Sequence, residues 1–441
     1  MGENHSSQDG KFQWTAEEAE MPERAVVIVP EIHNEQNRTR EARMGEAIGL
    51  ANAISLDVIE TTLVVIKRIQ PATLMGSGKV KEIAEKISAA HVGLAIVDHT
   101  LTPVQQQNLE KAWDCKVLDR TGLILEIFGE RAQTKEGRLQ VELAHLNYQK
   151  GRLVRSWTHL ERQRGGLGFV GGPGETQIEA DRRMIQERIN RLERDLEKVR
   201  KTRDLHRRGR KKVPHPIVSF VGYTNAGKST LFNYLTDANV MAKDQLFATL
   251  DPTLRQLNLP MGTKVILSDT VGFVSNLPTH LIAAFRATLE EVLEADLVLH
   301  VRDIAHDDTD AQAEDVYKVL AQLGVGDDGR EGVLEVWNKT DLLDKDTLSA
   351  MQSVKTSETG PILLSAVTGA GTEKLLEKIE ERIAGSDDVV DVLLPIEELG
   401  KLPSLYKSTH VIERHDLEDG SVRLTIRANR EIRKTLARFL A

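Results

Sequence analysis

The sequence contains a single cysteine, Cys115, among its 441 residues. One thiol cannot form an internal disulfide, and it excludes a zinc site built from several thiolates. Cys115 lies in the run Cys115-Lys116-Val117-Leu118, whose apolar flanks favour a buried structural thiol over a nucleophile. This scarcity of cysteine is typical of proteins that work in a reducing compartment.

Long apolar runs are also absent. No stretch approaches the roughly 20 apolar residues that a membrane-spanning helix requires, so the sequence predicts no membrane span. Residues 1–24 are polar and mixed in charge, without the apolar core of a secretion signal. We interpret them as a flexible tail, and the three absences together predict a cytoplasmic protein.

An excess of positive charge is missing too, because the chain carries a formal net charge of −9. This balance argues against a protein that coats nucleic acid through its overall field. One segment differs: Arg182 to Lys212 is strongly basic and ends in Arg207-Arg208-Gly209-Arg210-Lys211-Lys212. An acidic protein with one basic arm suggests a specific docking element for a polyanion.

The chain is long enough for several domains, since 441 residues are more than fold around a single hydrophobic core. Within residues 25–135, apolar runs such as Ala25–Val29 and Leu94–Val97 alternate with segments of helical spacing such as Pro103–Trp113. This alternation predicts a small parallel α/β domain.

Residues 136–212 show helical spacing on both sides of a glycine-rich segment at 165–174. After that segment, Ile178, Ile185, Leu192 and Val199 recur every seventh residue, which is the spacing of a coiled-coil seam. Two helices joined by one glycine loop predict a long antiparallel helical hairpin with the loop at its tip.

A phosphate-binding loop follows the apolar strand predicted at Ile217–Val221. Its sequence is Gly222-Tyr223-Thr224-Asn225-Ala226-Gly227-Lys228-Ser229, and a helix is predicted from Thr230 to Leu235. The loop matches GxxxxGK[ST] in the strand–loop–helix context that this motif requires. The glycines let backbone N–H groups face the α- and β-phosphates, and we expect Lys228 to reach the β- and γ-phosphates.

The identity of the nucleotide base is indicated by the motif Asn338-Lys339-Thr340-Asp341, which follows the predicted strand Val333–Trp337. The Asp341 carboxylate can accept hydrogen bonds from N1–H and the N2 amine of guanine, whereas adenine offers neither donor there. We expect Asn338 and Lys339 to brace the base and the phosphate loop, and the backbone of Ser365-Ala366 to contact the guanine edge. GTP is therefore the predicted nucleotide.

Two further segments complete the part of the predicted nucleotide site that surrounds the γ-phosphate. Asp269-Thr270-Val271-Gly272 follows the strand Val265–Leu267, and Phe247-Ala248-Thr249-Leu250-Asp251 precedes it. We expect Ser229, Thr249 and Asp269 to bind Mg²⁺, and the Gly272 N–H to contact the γ-phosphate. Lys228, Thr249 and Gly272 are the predicted catalytic residues.

The predicted fold class is accordingly α/β. A P-loop GTPase domain at 213–384 is preceded by the small parallel α/β domain and the long helical hairpin (coiled coil). A small α+β C-terminal module is predicted at 385–441, with a hairpin turn at Asp419-Gly420 and a closing helix at Asn429–Leu440.

Phe273 occupies the position at which GTPases of the Ras type place a water-orienting glutamine. Because its side chain has no hydrogen-bonding atom, two interpretations are open: an inactive switch, or a slow enzyme whose water is positioned by a partner or a monovalent cation. Asn225 favours a cation such as K⁺, because it adds an oxygen ligand near the β- and γ-phosphates. We predict low intrinsic turnover that rises on partner binding.

The segment from Arg164 to Arg183, with its run of glycines, resembles the signature of the HflX family. The nucleotide motifs resemble those of the same family, at Gly222–Ser229, Phe247–Thr253, Asp269–Phe273 and Asn338–Asp341. The resemblance extends over about residues 25–385. Members of the family also have a hydrophobic residue at the position of Phe273.

This resemblance implies a ribosome-associated GTPase whose hairpin contacts the RNA of the large ribosomal subunit. It further implies that the protein splits stalled or stress-damaged ribosomes, and that the large subunit stimulates GTP hydrolysis. Arg162, Arg164, Arg182 and Arg183 flank the glycine loop and suit phosphate contacts; the alternative is a solvated coiled-coil face. A monomer is the default expectation.

Two other functions remain open from the sequence. GTP could regulate binding to another protein, such as a protease complex, with hydrolysis incidental. The N-terminal domain could instead support an ATP-dependent RNA helicase, since the resemblance implies ATP binding for some members. Gly76-Ser77-Gly78-Lys79 is similar to half a phosphate loop but lacks the first glycine at the right spacing. We interpret it as the start of a helix.

Overall fold

A computed structural model gives the structure of the chain. It describes residues 23–32, 38–163, 173–210, 215–236, 246–247, 253–275, 292–326, 330, 332–354, 360–384, 388–402, 405–406, 409–417, 419–428, 436 and 438–439. The described residues fall into two compact units, one within Met1–Glu130 and Ala144–Asn190, the other within Arg131–Leu143 and Arg191–Ala441. Within these ranges every helix is too short or too polar to form a membrane-spanning segment.

The first sheet is parallel and four-stranded, and helices alternate with its strands. The strands are β1 (Arg24–Ile32), β2 (Asp57–Ile66), β3 (Leu94–Val97) and β4 (Lys116–Asp119), in the order β2-β1-β3-β4. The helices are α1 (Arg40–Asn52), α2 (Ser77–Ala90), α3 (Pro103–Trp113) and α4 (Arg120–Arg131). The small parallel α/β fold predicted for this region is confirmed.

Local sequence explains these elements. All four residues of β3 are buried, as expected for a parallel strand covered by helices on both faces. At the start of α3, Thr102 Oγ1 accepts a hydrogen bond from Gln105 N while the Gln105 side chain accepts one from Thr102 N, which is a capping box. Gly76 is the N-cap of α2, so the predicted helix start at Gly76–Lys79 is confirmed.

Two long helices follow, α5 (Lys135–Gln163) and α6 (Pro173–Arg210). In α6 the predicted seam residue Leu192 is buried, as is Ile189 one turn before it, and the Lys150 side chain of α5 donates to Gln186 of α6. Most of the predicted glycine-rich tip (165–174) lies outside the described residues, at 165–172, and its last two residues begin α6 at Pro173.

Helix α5 is joined to the end of β4 by Asp119, whose side chain is fully buried. The carboxylate accepts from Tyr148 Oη at 2.6 Å and from Arg152 Nη2 at 2.7 Å. It also accepts from the backbone of Leu101 and Gly122. Burial and the negative charge of Asp119 raise the pKa of Tyr148 far above its ordinary value.

The second sheet has six strands: β5 (Ile217–Val221), β6 (Thr253–Asn258), β7 (Lys264–Asp269), β8 (Leu297–Asp303), β9 (Val333–Asn338) and β10 (Ile362–Leu363). Their order is β10-β9-β8-β5-β7-β6, and only β6 is antiparallel to its neighbour. The associated helices are α7 (Lys228–Thr236), α8 (Thr309–Leu323), α9 (Lys345–Val354) and α10 (Thr372–Ala384). This is the predicted P-loop GTPase architecture.

The turn between β6 and β7 is bound to α10. Glu380 is 1% exposed, and its carboxylate accepts from Met261 N at 2.8 Å and from Thr263 N at 3.3 Å. The hairpin that leads into Asp269 is therefore fixed at its far end.

The last sheet is antiparallel and contains β11 (Asp388–Leu394), β12 (His410–Asp416) and β13 (Val422–Ala428), in the order β11-β13-β12. Val392, Leu394, Leu424 and Ile426 form its core. The predicted turn is present, because Gly420 has a φ of +82° between β12 and β13. Most of the predicted closing helix, Asn429–Leu440, lies outside the described residues.

Candidate nucleotide-binding site

The phosphate loop lies between β5 and α7, at the carboxyl end of a central strand. Gly222 has a φ of +152°, and a Cβ there would come within 2.2 Å of the Val301 carbonyl oxygen. Gly227 has a φ of +89°, and its Cβ would come within 2.2 Å of Asn338 Nδ2. Both glycines are required by conformation and by close packing.

Lys228 begins α7 and is only 6% exposed. Its Nζ donates to the carbonyl oxygens of Gly222 at 3.1 Å and Tyr223 at 2.8 Å. Burial lowers the pKa of Lys228 to about 8, although the charge of Asp269 acts in the opposite direction. A buried cation inside a glycine loop at a helix N-terminus fits a bound phosphate group.

The structure brings two of the three predicted Mg²⁺ ligands together. Ser229 Oγ donates to Asp269 Oδ2 at 2.7 Å, and Asp269 is fully buried at the end of β7. A hydroxyl beside a carboxylate is an oxygen donor set that suits Mg²⁺. The third predicted ligand, Thr249, lies outside the described residues, as do Ala248, Leu250 and Asp251. Phe247 is described and is 2% exposed.

The Asn338 side chain joins the phosphate side to the base side. It is 1% exposed; Nδ2 donates to the Ala226 carbonyl at 2.8 Å, and Oδ1 accepts from Ala366 N at 2.9 Å. One amide therefore connects the phosphate loop, β9 and the Ser365-Ala366 segment. The sequence predicts that Asn338 braces the base and the phosphate loop, and the structure shows the two hydrogen bonds that its side chain makes.

The other predicted base-side residues surround Asn338. Lys339 has a φ of +64° and its Nζ lies 2.8 Å from Asp303 Oδ2. Thr340 N donates to the Leu364 carbonyl at 3.3 Å. Asp341 is exposed, so its carboxylate is accessible to a base, whereas Ser365 is buried.

Two contacts at this site were not predicted. Asp303, at the end of β8, pairs with Lys339, and it lies directly opposite Asn338 in the β8–β9 ladder. Gly369 has a φ of +80°, and a Cβ there would overlap the Tyr234 hydroxyl at 1.9 Å. An aspartate that ends a buried strand next to the guanine-side strand was the available signal for Asp303.

The Asp269–Phe273 segment lies against the phosphate loop. Thr270 Oγ1 donates to the Phe220 carbonyl at 2.6 Å. Phe273 N donates to the Gly222 carbonyl at 3.1 Å, and Thr224 N donates to the Phe273 carbonyl at 2.7 Å. The Phe273 side chain is 2% exposed. Of the remaining predicted residues, Val271 is buried and Asn225 is exposed with a φ of +60°.

Comparisons with known proteins support the interpretation of this site as that of a GTPase. Four family models match consecutive parts of the chain, described as "GTP-binding GTPase N-terminal" at 41–129, "GTP-binding GTPase Middle Region" at 131–210, "50S ribosome-binding GTPase" at 217–339 and "HflX C-terminal domain" at 350–441. A protein named GTPase HflX from Magnetococcus marinus is 47% identical over 401 residues, which are 90% of this chain and 91% of that protein. The chain belongs to the HflX family of GTPases.

Another HflX relative supports the same conclusion. The GTPase HflX of Escherichia coli is 44% identical over 407 residues, covering 92% of this chain and 93% of that protein. Among solved structures, a GTP-binding protein from Sulfolobus solfataricus in complex with GDP is 23% identical, with a TM-score of 0.43. The match covers 82% of this chain and 99% of that one. The family models and the two HflX relatives confirm the predicted family and the predicted GTPase class.

Proposed function

We propose that the chain is a Mg²⁺-dependent GTPase that binds the large ribosomal subunit and acts on stalled or stress-damaged ribosomes, splitting them. The proposal that the chain binds a guanine nucleotide rests on Asn338, whose side-chain amide joins the phosphate loop to the guanine-side segment. A phosphate cradle and a base-reading segment connected by one buried side chain support a single guanine nucleotide bound across both.

The residues divide the chemistry between them. Mg²⁺, when bound, neutralises charge on the β- and γ-phosphates; Ser229 and Asp269, with Thr249, would hold it. Lys228 stabilises the negative charge that develops on the phosphoryl oxygens, and the Gly272 N–H donates to the γ-phosphate. Because Phe273 cannot orient water, the isolated protein turns over slowly. A partner would accelerate hydrolysis, or K⁺ would do so, with the Asn225 side chain supplying an oxygen ligand.

The ribosomal part is supported by family membership and by surface charge. The family model matched at 217–339 is described as a 50S ribosome-binding GTPase. On α6, the side chains of Arg182 and Arg183 are exposed and suit contacts to RNA phosphates. The expected partner is therefore ribosomal RNA of the large subunit. We further propose that the protein acts in the cytoplasm as a monomer.

Sedimentation of ribosomes with the protein tests this proposal. Whole ribosomes are mixed with the protein and GTP, a non-hydrolysable GTP analogue or GDP, and the subunits are resolved on sucrose gradients. We expect the protein to sediment with the large subunit in the analogue state, and free subunits to increase. Splitting by the analogue would make hydrolysis a release step.

Turnover assays provide the second readout. GTP hydrolysis is expected to be slow alone and faster with large subunits, and Lys228→Ala should abolish it in both conditions. Absence of ribosome association in every nucleotide state would overturn the ribosomal role. ATP-dependent RNA unwinding that survives Lys228→Ala would favour the helicase alternative, and hydrolysis stimulated by a protein instead of ribosomes would favour the regulated binding module.

A further inference from the structure

Tyr223 is the second residue of the phosphate loop, but its side chain reaches beyond that loop. Its hydroxyl oxygen accepts a hydrogen bond from Ser275 N at 2.6 Å. Tyr223 is 4% exposed and Ser275 is 8% exposed, so water has little access to this contact. The bond joins the phosphate loop to the residues immediately after Phe273.

The same two segments are also paired through their backbones. Tyr223 and Phe273 form a parallel bridge, with hydrogen bonds from Phe273 N to the Gly222 carbonyl and from Thr224 N to the Phe273 carbonyl. The Tyr223 hydroxyl extends this pairing by two residues. Together the three bonds hold the turn that contains Gly272 against the loop.

Gly272 is thereby placed beside the residues assigned to the γ-phosphate. A Cβ on Gly272 would come within 3.1 Å of Lys228 Nζ and 2.8 Å of Thr224 Cγ2. Small movements of the turn would change the distance between the Gly272 N–H and any group bound by Lys228. Precise placement of donors is what transition-state stabilisation requires.

We propose that Tyr223 is a positioning residue: its hydroxyl holds the Asp269–Phe273 turn so that the Gly272 N–H meets the γ-phosphate. In a chain with Phe273 in place of a glutamine, this contact keeps the turn ordered without a polar side chain at position 273. The inference rests on the proposed GTPase chemistry and adds to it a residue that distinguishes GTP from GDP.

Tyr223→Phe is the direct test, because it removes only the hydroxyl from a buried ring. Loss of one buried hydrogen bond weakens an equilibrium by up to about tenfold. We expect the affinity for a non-hydrolysable GTP analogue and the single-turnover hydrolysis rate each to fall by about five- to tenfold. The affinity for GDP, which lacks the γ-phosphate, should change by less than about twofold.

Two matched variants separate positioning from general destabilisation. Tyr317→Phe removes another buried tyrosine hydroxyl of the same domain, one that donates to Glu335, and should leave the preference for the analogue over GDP unchanged. Ser275→Ala retains the backbone N–H and should behave like the wild type.

Equal losses of GDP and analogue affinity in Tyr223→Phe would overturn the inference, as would unchanged affinities and rates. Failure of the proposed function itself would look different, because the wild type would then show no turnover with or without ribosomes.

Discussion

At the scale of single residues, Asn338 supports both halves of the nucleotide site. Removing its side chain as Asn338→Ala leaves the Ala226 carbonyl and the Ala366 N–H without this partner, in a position that is 1% exposed. Each buried unsatisfied group costs about 1–3 kcal/mol. We expect the free energy of unfolding to fall by roughly 2–4 kcal/mol and GDP affinity to fall steeply, as measured by denaturant titration and nucleotide binding.

Asp341→Ala is the control, because Asp341 is exposed and makes no contribution to this bridge. It should weaken guanine nucleotide binding while leaving the free energy of unfolding close to that of the wild type. Equal stability of the wild type and Asn338→Ala would contradict the bridging role.

We expect Lys228 to make nucleotide binding dependent on pH. Burial lowers its pKa to about 8 in the nucleotide-free protein, so the side chain loses its proton as the pH rises through that value. Bound phosphates favour the cation and raise this pKa again, and binding must therefore take up a proton. GDP affinity is expected to decrease as the pH rises above 8.

Calorimetry at pH 8.5 in two buffers of different ionisation enthalpy measures that proton directly. The wild type should take up most of one proton on binding GDP. Lys228→Arg should take up none at this position, because arginine remains charged. The same uptake in both proteins would assign the proton to another group.

Most of the candidate site could be proposed from the sequence because its residues lie in short contiguous motifs. Gly222–Ser229 and Asn338–Asp341 each specify their chemistry locally, without knowledge of the fold. Asp303 and Tyr234 could not be predicted in this way, because their contacts with Lys339 and Gly369 depend on strand order and helix packing. The Tyr223 bond to Ser275 likewise joins segments about 50 residues apart.

At the scale of secondary structure, the strands predicted in the GTPase domain are those that lead directly into a nucleotide motif, as β5, β7 and β9 do. Strands β6 and β8 were not identified, because polar residues interrupt them and neither leads into such a motif. In β8, His300 and Arg302 are buried, and Arg302 Nη1 lies 3.1 Å from Glu335 Oε2 of the neighbouring strand. Such cross-strand pairing is visible only once the sheet order is known. Burial lowers the pKa of His300 to about 3, so the ring is neutral.

The attachment of α5 to the parallel sheet depends on Asp119. Tyr148→Phe removes one of its hydrogen bonds, and hydrogen bonds to a charged group contribute about 1.5–3 kcal/mol. We expect thermal unfolding of this unit to begin at lower temperature, with GDP affinity unchanged. Differential scanning calorimetry with nucleotide titration measures both quantities.

A suitable comparison is Tyr406→Phe, since Tyr406 is 48% exposed. It should leave the unfolding profile close to that of the wild type. If Tyr148→Phe were equally neutral, the Asp119 contacts would contribute little to the position of α5.

At the scale of the whole molecule, the chain combines a net charge of −9 with exposed arginines on α6. Its overall field repels RNA, so the proposed binding to ribosomal RNA must depend on local contacts that are sensitive to salt. Arg182→Glu with Arg183→Glu should weaken binding to large ribosomal subunits by at least tenfold at moderate salt. Gradient sedimentation over a series of salt concentrations measures the loss, together with a shallower salt dependence.

The hydrolysis rate of that double variant without ribosomes provides the control. It should equal the wild-type rate, because the two arginines lie on α6 and take no part in the nucleotide site. Unchanged ribosome binding would place the RNA contacts elsewhere on the chain.

The β6–β7 hairpin ends at Asp269, one of the proposed Mg²⁺ ligands. Thr253 pairs with Asp269 at its open end, while Glu380 binds the turn at its closed end. A ladder clamped in this way can bend or twist, but it cannot slide without breaking both bonds to Glu380. Thr253 at the start of β6 and Asp269 at the end of β7 are thus held as one stiff pair. A displacement of either residue is transmitted to the other across that single cross-strand pair.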